Sequence, residues 1–228
     1  MTMNYTATGL QHAAEHLAGQ TAAPTIASRI RAAGRLAESL ERLAKTRNPT
    51  VTPDAHALKV EAKAKAAAVD LQRVQEGFTA AIQTRLADLE SNINELTNFR
   101  ANDQASEIRA AIRAMPENER RDAVLNMTAD TRNGPVLAAL HAQPEFLTGL
   151  QPEFVGKVVG AYQSKLAPAE VAERDALLDE QIGDAHSLFG KVEHYVKHLP
   201  TDTAAIKEGI EKAMEADEAY STASALAN

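Results

Sequence analysis

The chain has 228 residues and a net charge of −7, with 44% apolar residues but only 4% aromatic ones, no tryptophan and no cysteine. Without cysteine there are no disulfides, thiolate metal sites or cysteine nucleophiles. No stretch approaches the roughly 18 consecutive apolar residues that a membrane-spanning helix needs, and the overall acidity argues against general affinity for nucleic acid.

Alanine and leucine supply most of the apolar count. Alanine loses no side-chain entropy in a helix, and small residues let helix axes approach closely, whereas β-sandwiches lean on branched and aromatic residues. The expected fold is therefore all-α. The start, Met1 to Tyr5, carries no basic region followed by an apolar run, so no signal peptide is expected. The expected protein is soluble and resides in the cytoplasm or in a virion. Charge is uneven along the chain: residues 1–52 hold six basic and three acidic groups, and residues 167–228 hold five and thirteen. These opposite ends are candidates to pair, within one chain or between neighbours.

In chain order, residues 1–24 read as a flexible segment with one short helix from Thr8 to Gly19. A long helical hairpin is expected over 25–102. Its first helix places Ile26, Ile30, Ala33, Leu36, Leu40 and Leu43 at spacings of three and four. The opposite face is basic, with Arg29, Arg31, Arg35, Arg42 and Arg47. Pro49 and Pro53 break this helix; Thr52 reads as the N-cap of the next, with Pro53 at its first position.

That next helix is long. Leu71, Val74, Phe78, Ile82, Leu86, Leu89, Ile93 and Leu96 repeat close to every 3.6 residues and share one face. At about 1.5 Å per residue such a helix spans roughly 70 Å, more than a compact domain of this size. It must lie along another element, and the 25–46 helix is the natural antiparallel mate. The stretch Glu61 to Ala68 has little apolar bulk and reads as the more exposed end.

Residues 103–166 read as a compact cluster of short helices, punctuated by Pro116, Pro135, Pro144 and Pro152, with a turn at Asn133-Gly134-Pro135. Glu117, Glu119, Arg120, Arg121 and Asp122 look like the first turns of an exposed helix. From Pro168 a long acidic helix is expected, within a last segment spanning 167–228. Leu178, Ile182, Ala185, Phe189, Val192, Val196 and Leu199 alternate by four and three, the seam of a coiled coil. Pro200 stops it, Thr201 caps a further helix with Ile206, Ile210, Ala213 and Met214 on one face, and the tail from Ser221 frays.

Two strings suggest chemistry. His12-Ala-Ala-Glu15-His16 matches the inverted zinc-protease pattern, with two imidazoles one turn apart and Glu15 placed as general base. It lacks a third ligand, and Glu76, Glu90 and Glu95 are equally eligible. His194 and His198 repeat the spacing and suit a metal with Glu193, a pH switch, or ordinary helix-end histidines. No Gly-x-Ser-x-Gly, phosphate-binding loop, dinucleotide fingerprint or calcium loop occurs.

Asn133-Gly-Pro-Val-Leu-Ala-Ala-Leu140, followed by Gln143-Pro-Glu-Phe-Leu-Thr-Gly-Leu150, resembles a segment of helical proteins encoded among the structural genes of tailed bacteriophages and prophages. In those proteins an arginine- and glutamate-rich helical pair precedes the segment, as at Glu107–Met127 here, and a long acidic helix follows, as at 168–199. The resemblance covers residues 105–199, carries no catalytic residues, and implies a virion component.

The expected function is thus a non-enzymatic structural or assembly protein without cofactors. It would act through helix–helix contacts as a homo-oligomer or with other structural proteins, and would not associate with membranes. The alternatives are a monomeric helical adaptor for a different protein, or for packaged DNA through its basic arm, and a zinc hydrolase using His12, Glu15 and His16.

Overall fold

The computed structural model describes residues 5–21, 23–178, 180–199 and 203–226, the side chains of 180–182 and 219–226 excepted. The described residues form helices and no strand: α1 (Ala7–Gln20), α2 (Pro24–Lys45), α3 (Pro53–Leu96), α4 (Ala105–Ala114), α5 (Glu117–Leu125), α6 (Gly134–Leu140), α7 (Glu145–Thr148), α8 (Pro152–Leu166), α9 (Pro168–Leu178), α10 (Glu180–Lys197) and α11 (Ala204–Leu226). Two 3-10 turns, Asn126–Ala129 and Thr131–Asn133, lie between α5 and α6. None of these helices is long and apolar enough to cross a membrane.

The chain divides into two compact units, one made of residues 1–80 and 183–228, the other of residues 81–182. These divisions fall inside α3 and α10, not at the boundaries near 24, 102 and 166 that composition suggested. The reason is packing: each half of α3 is covered by a different set of helices.

The first unit is an antiparallel four-helix bundle of α1, α2, the first half of α3, and α10. The helix α1 is no loose segment. Ala7, Leu10, Ala14 and Ala18 are buried in it, against Ile26, Ala27, Ile30, Ala33 and Ala37 of α2. Arg31 bonds Glu15 at 3.0 Å, and a Cβ added at Gly34 would lie 2.6 Å from Ala14 Cβ and 3.1 Å from Gln11 Cα. The two axes are therefore close enough that only glycine fits at this crossing.

Thr52 caps α3 as its sequence implies, its hydroxyl accepting from Ala55 N–H at 3.2 Å, with Pro53 at the first helical position. Between α2 and α3, Asn48 folds the loop by accepting from Thr50 N–H at 3.0 Å. The two helices then run antiparallel, His56 lying 3.4 Å from the Ala44 carbonyl and Arg29 reaching Gly77 at the other end. On its other side α3 meets α10, also antiparallel. Phe78 packs on Phe189 at 5.1 Å between ring centroids and meets His186 edge-on at 5.7 Å. Tyr5, just before α1, lies 6.0 Å from the His194 ring and closes the bundle.

This crossing gives a sharp test. An exposed helical glycine changed to alanine stabilises by about 0.5–1 kcal/mol, because alanine loses less backbone entropy on folding. Gly190, where an added Cβ meets nothing within 4 Å, should show that gain. Gly34→Ala should do the opposite and destabilise by about 2 kcal/mol, since a helix backbone must shift to make room. Urea midpoints of the two variants should move in opposite directions.

The second unit gathers its core from Ile112, Val124, Leu137, Leu140, Leu150, Val155, Val158, Val159 and Tyr162. The C-terminus of α3 is built into it. Asn98 takes a left-handed φ of 51°, Phe99 N–H bonds Asn94 O at 2.8 Å and Asn98 N–H bonds Glu95 O at 3.1 Å. This is a Schellman cap with asparagine in the usual glycine place. Gly134 sits directly against it, where a Cβ would fall within 2.5 Å of the carbonyl oxygens of Thr97 and Asn98. The buried Tyr162 hydroxyl donates to the Thr97 carbonyl, tying α8 to the same turn, and burial pushes its pKa up.

Arg120 corrects the expectation of an exposed charge cluster. Its guanidinium is half-buried and donates to four carbonyls: Ile112 at 3.1 Å, Arg113 at 3.0 Å, Met115 at 2.8 Å and Gly149 at 2.6 Å. The first three lie at the C-terminal end of α4, where the Ile112 carbonyl also accepts from Met115 N–H at 3.2 Å, and Gly149 ends α7. On the remaining side, α9 returns along the second half of α3. Ala167 and Val171 pack on Ile93, and Glu173 accepts two bonds from Arg85 at 2.7 and 2.8 Å.

Candidate interaction surface

The predicted coiled-coil seam is distributed as follows. Ala185, Phe189, Val192 and Val196 are buried, and Leu199 is half-buried. Ile182 lies outside the described side chains. Leu178 is 55% exposed, whereas its neighbour Leu177 is buried. Leu188 is buried too, which widens the stripe beyond a two-residue seam. A wide stripe is what a bundle core needs, and here the first unit of the same chain covers it.

The arm positions behave alike. Leu71 and Phe78 are buried and Val74 half-buried in the first unit; Ile82, Leu89 and Ile93 are buried and Leu86 half-buried in the second. Leu96 stays exposed at the α3 terminus.

Two arginines of the predicted basic face, and Lys45 at the end of α2, pair with nearby acids. Arg31 pairs with Glu15, Arg42 with Glu38 at 3.4 Å, and Lys45 with Glu41 at 2.8 Å. Arg29 lies over Gly77, and Arg35 and Arg47 are exposed.

Neither histidine string builds a site. Glu15 is committed to Arg31 and Gln11, and His16 lies 3.1 Å from the Gln20 amide. His194 and His198 stack at 4.1 Å, while Glu193 bonds Lys197 at 2.5 Å. Among the described residues no three histidine, aspartate or glutamate side chains gather as a metal ion would require. The zinc reading thus has two imidazoles and no third ligand beside them.

What remains is α11, whose contribution was visible in sequence only as an amphipathic pattern. The expected cap at Thr201 lies outside the described residues; Thr203 precedes the helix and is buried. Its hydroxyl donates to Glu61 at 2.6 Å, and Lys207 Nζ donates to the same carboxylate at 2.5 Å. With Lys65 at 2.9 Å, these donors hold the Glu61 pKa at about 2, well below its ordinary 4.5.

From there α11 continues along α3 in the direction set by α10. A groove of about 630 Å³ separates it from Thr52, Asp54, Ala55 and Leu58, with Ile206, Gly209 and Ile210 on its own side. Since α3 starts at Pro53, it offers α11 nothing beyond that point. Every described side chain from Lys207 to Glu218 is exposed, including Ile210 and, at 66%, Met214. A second cleft, of about 360 Å³, lies where Ala64 and Ala68 leave space beside Val196 and Leu199.

No protein-family model matches the chain, and neither does any curated protein or any solved structure.

Proposed function

We propose that the chain is a non-enzymatic structural protein that assembles through helix–helix contact, and that α11 pairs with α11 of a second copy. One observation carries this reading. The apolar side of α11, Ile206, Ile210, Ala213 and Met214, extends past the end of the helix it lies along, so its own unit leaves Ile210 and Met214 uncovered.

Charge selects the second copy. On a helix of 3.6 residues per turn, Glu208, Glu211 and Glu215 fall on the side away from that apolar face. In an antiparallel pair centred on Lys212, Ile210 meets Met214 of the second copy and Lys207 comes opposite Asp217. The same patch then serves both copies, as two-fold symmetry requires. A pair of helices this short buries less than the roughly 1,200 Å² typical of stable complexes, so the association is weak and concentration-dependent. Within this reading, the resemblance of residues 133–150 to segments of tailed-phage structural proteins supports a component of a particle, where many copies are held close together.

Sedimentation velocity tests it. Wild type should shift from monomer to dimer at high micromolar concentration. Ile210→Glu combined with Met214→Glu should stay monomeric, with unchanged helicity and melting temperature. A monomeric wild type would reject pairing between copies and favour an adaptor for a different protein.

A further inference from the structure

We infer that α11 is a releasable arm, latched to α3 by the Glu61 carboxylate and freed when that carboxylate loses its charge. This does not depend on pairing between copies, because the latch is built within one chain. Two polar ties, from Thr203 and from Lys207 of α11, converge on this one group of α3. The apolar ties are few: Ile206 is half-buried across the groove from Leu58, and the following described side chains are exposed. A helix so sparsely covered is at the low-stability end of a structure and opens locally without the rest.

The charges around Glu61 make the latch sensitive. Lys65 of α3 and Lys207 of α11 bond it, and Lys197 of α10 lines the same cleft. Among the described residues lining that cleft, Glu61 is the acid. Once neutral, it no longer offsets the charges of Lys65 and Lys207, whose ammonium groups both bond it, while Lys197 keeps its own partner in Glu193; the charge-assisted bonds are what is lost.

The sign follows from the direction of the shift. A carboxylate with a lowered pKa contributes its stabilisation in full above 4.5, and loses it as the pH falls from there toward about 2. Acid therefore frees α11 through Glu61, whereas the buried Phe78, Phe189 and Val192 that α3 and α10 share carry no charge to lose.

Hydrogen exchange on Glu61→Gln at neutral pH reads this directly, at a concentration where the chain is monomeric. Amides of residues 208–211 should exchange at least about tenfold faster than in wild type, while those of α2 and α10 keep their wild-type rates. Thr203→Val with Lys207→Met, which removes the partners and keeps the carboxylate, should give the same local pattern. Unchanged exchange in α11 would overturn the latch. So would a parallel rise across α2 and α10, which would make Glu61 a general stabiliser of the bundle.

Discussion

Phe78→Ala should destabilise the first unit by about 4 kcal/mol, the largest single loss expected anywhere in the chain. Phe78 is 1% exposed and lies between the rings of Phe189 and His186. Deleting a buried phenyl group costs the transfer free energy of the ring plus a term for the cavity left behind. The cavity term is large here because the neighbours cannot collapse into it. Phe189 and His186, the rings it touches, are both carried by α10, so only a shift of that whole helix would fill the space. The lost aromatic pair adds about 0.5–1.5 kcal/mol within that total. Equilibrium unfolding in urea should show the drop as a lower midpoint with unchanged slope. Hydrogen exchange should place it in α10, with α8 of the other unit as reference. By contrast Val69→Ala, at an exposed position of the same helix, should change stability by less than about 0.5 kcal/mol.

Arg120→Ala should cost the second unit about 3 kcal/mol. Four carbonyls share one guanidinium, and hydrogen bonds to a charged group contribute about 1.5–3 kcal/mol each. The sum overstates the loss, because Arg120 is half-buried and water can reach some of the freed carbonyls. What water cannot restore is the joint: Arg120 fixes the end of α4 to the end of α7 through Gly149. Arg120→Lys should recover less than half, since an ammonium lacks the planar fork that spans four acceptors. Thermal unfolding followed by exchange in α4 and α7 measures both variants.

These two positions show what a linear reading detects. Phe78 announces itself, being the largest member of a stripe with regular spacing. Arg120 does not, because an arginine among Glu117, Glu119 and Asp122 looks the same whether it faces water or a ring of carbonyls. The α1–α2 crossing was hidden for a different reason. Ala7, Ala14, Ala18 and Gly34 are buried by close approach of the backbones, and small side chains give almost no periodic hydrophobic signal. Leu178 and Leu177 differ by one residue, and strict spacing from Ile182 selects Leu178. The buried phase in α9 instead follows Val171 and Leu177, which face the covered side.

The proline-marked start of α3 and the antiparallel mate of α2 were legible because caps and breakers act locally. The placement of α10 against α3 was not, since about a hundred intervening residues form the other unit. That placement covers the heptad stripe from Ala185 to Val196 within the chain. For the same reason α11 stands out: it is the described helix whose apolar face outruns its neighbour.

Whether the α10 stripe is covered within one chain is open to direct measurement by hydrogen exchange across a dilution series, from high micromolar to well below micromolar. Intrachain packing predicts that amides of Leu188, Phe189, Val192 and Val196 keep the same protection at every concentration. Loss of that protection on dilution would mean that a second chain supplies the cover, and would contradict the bundle described above.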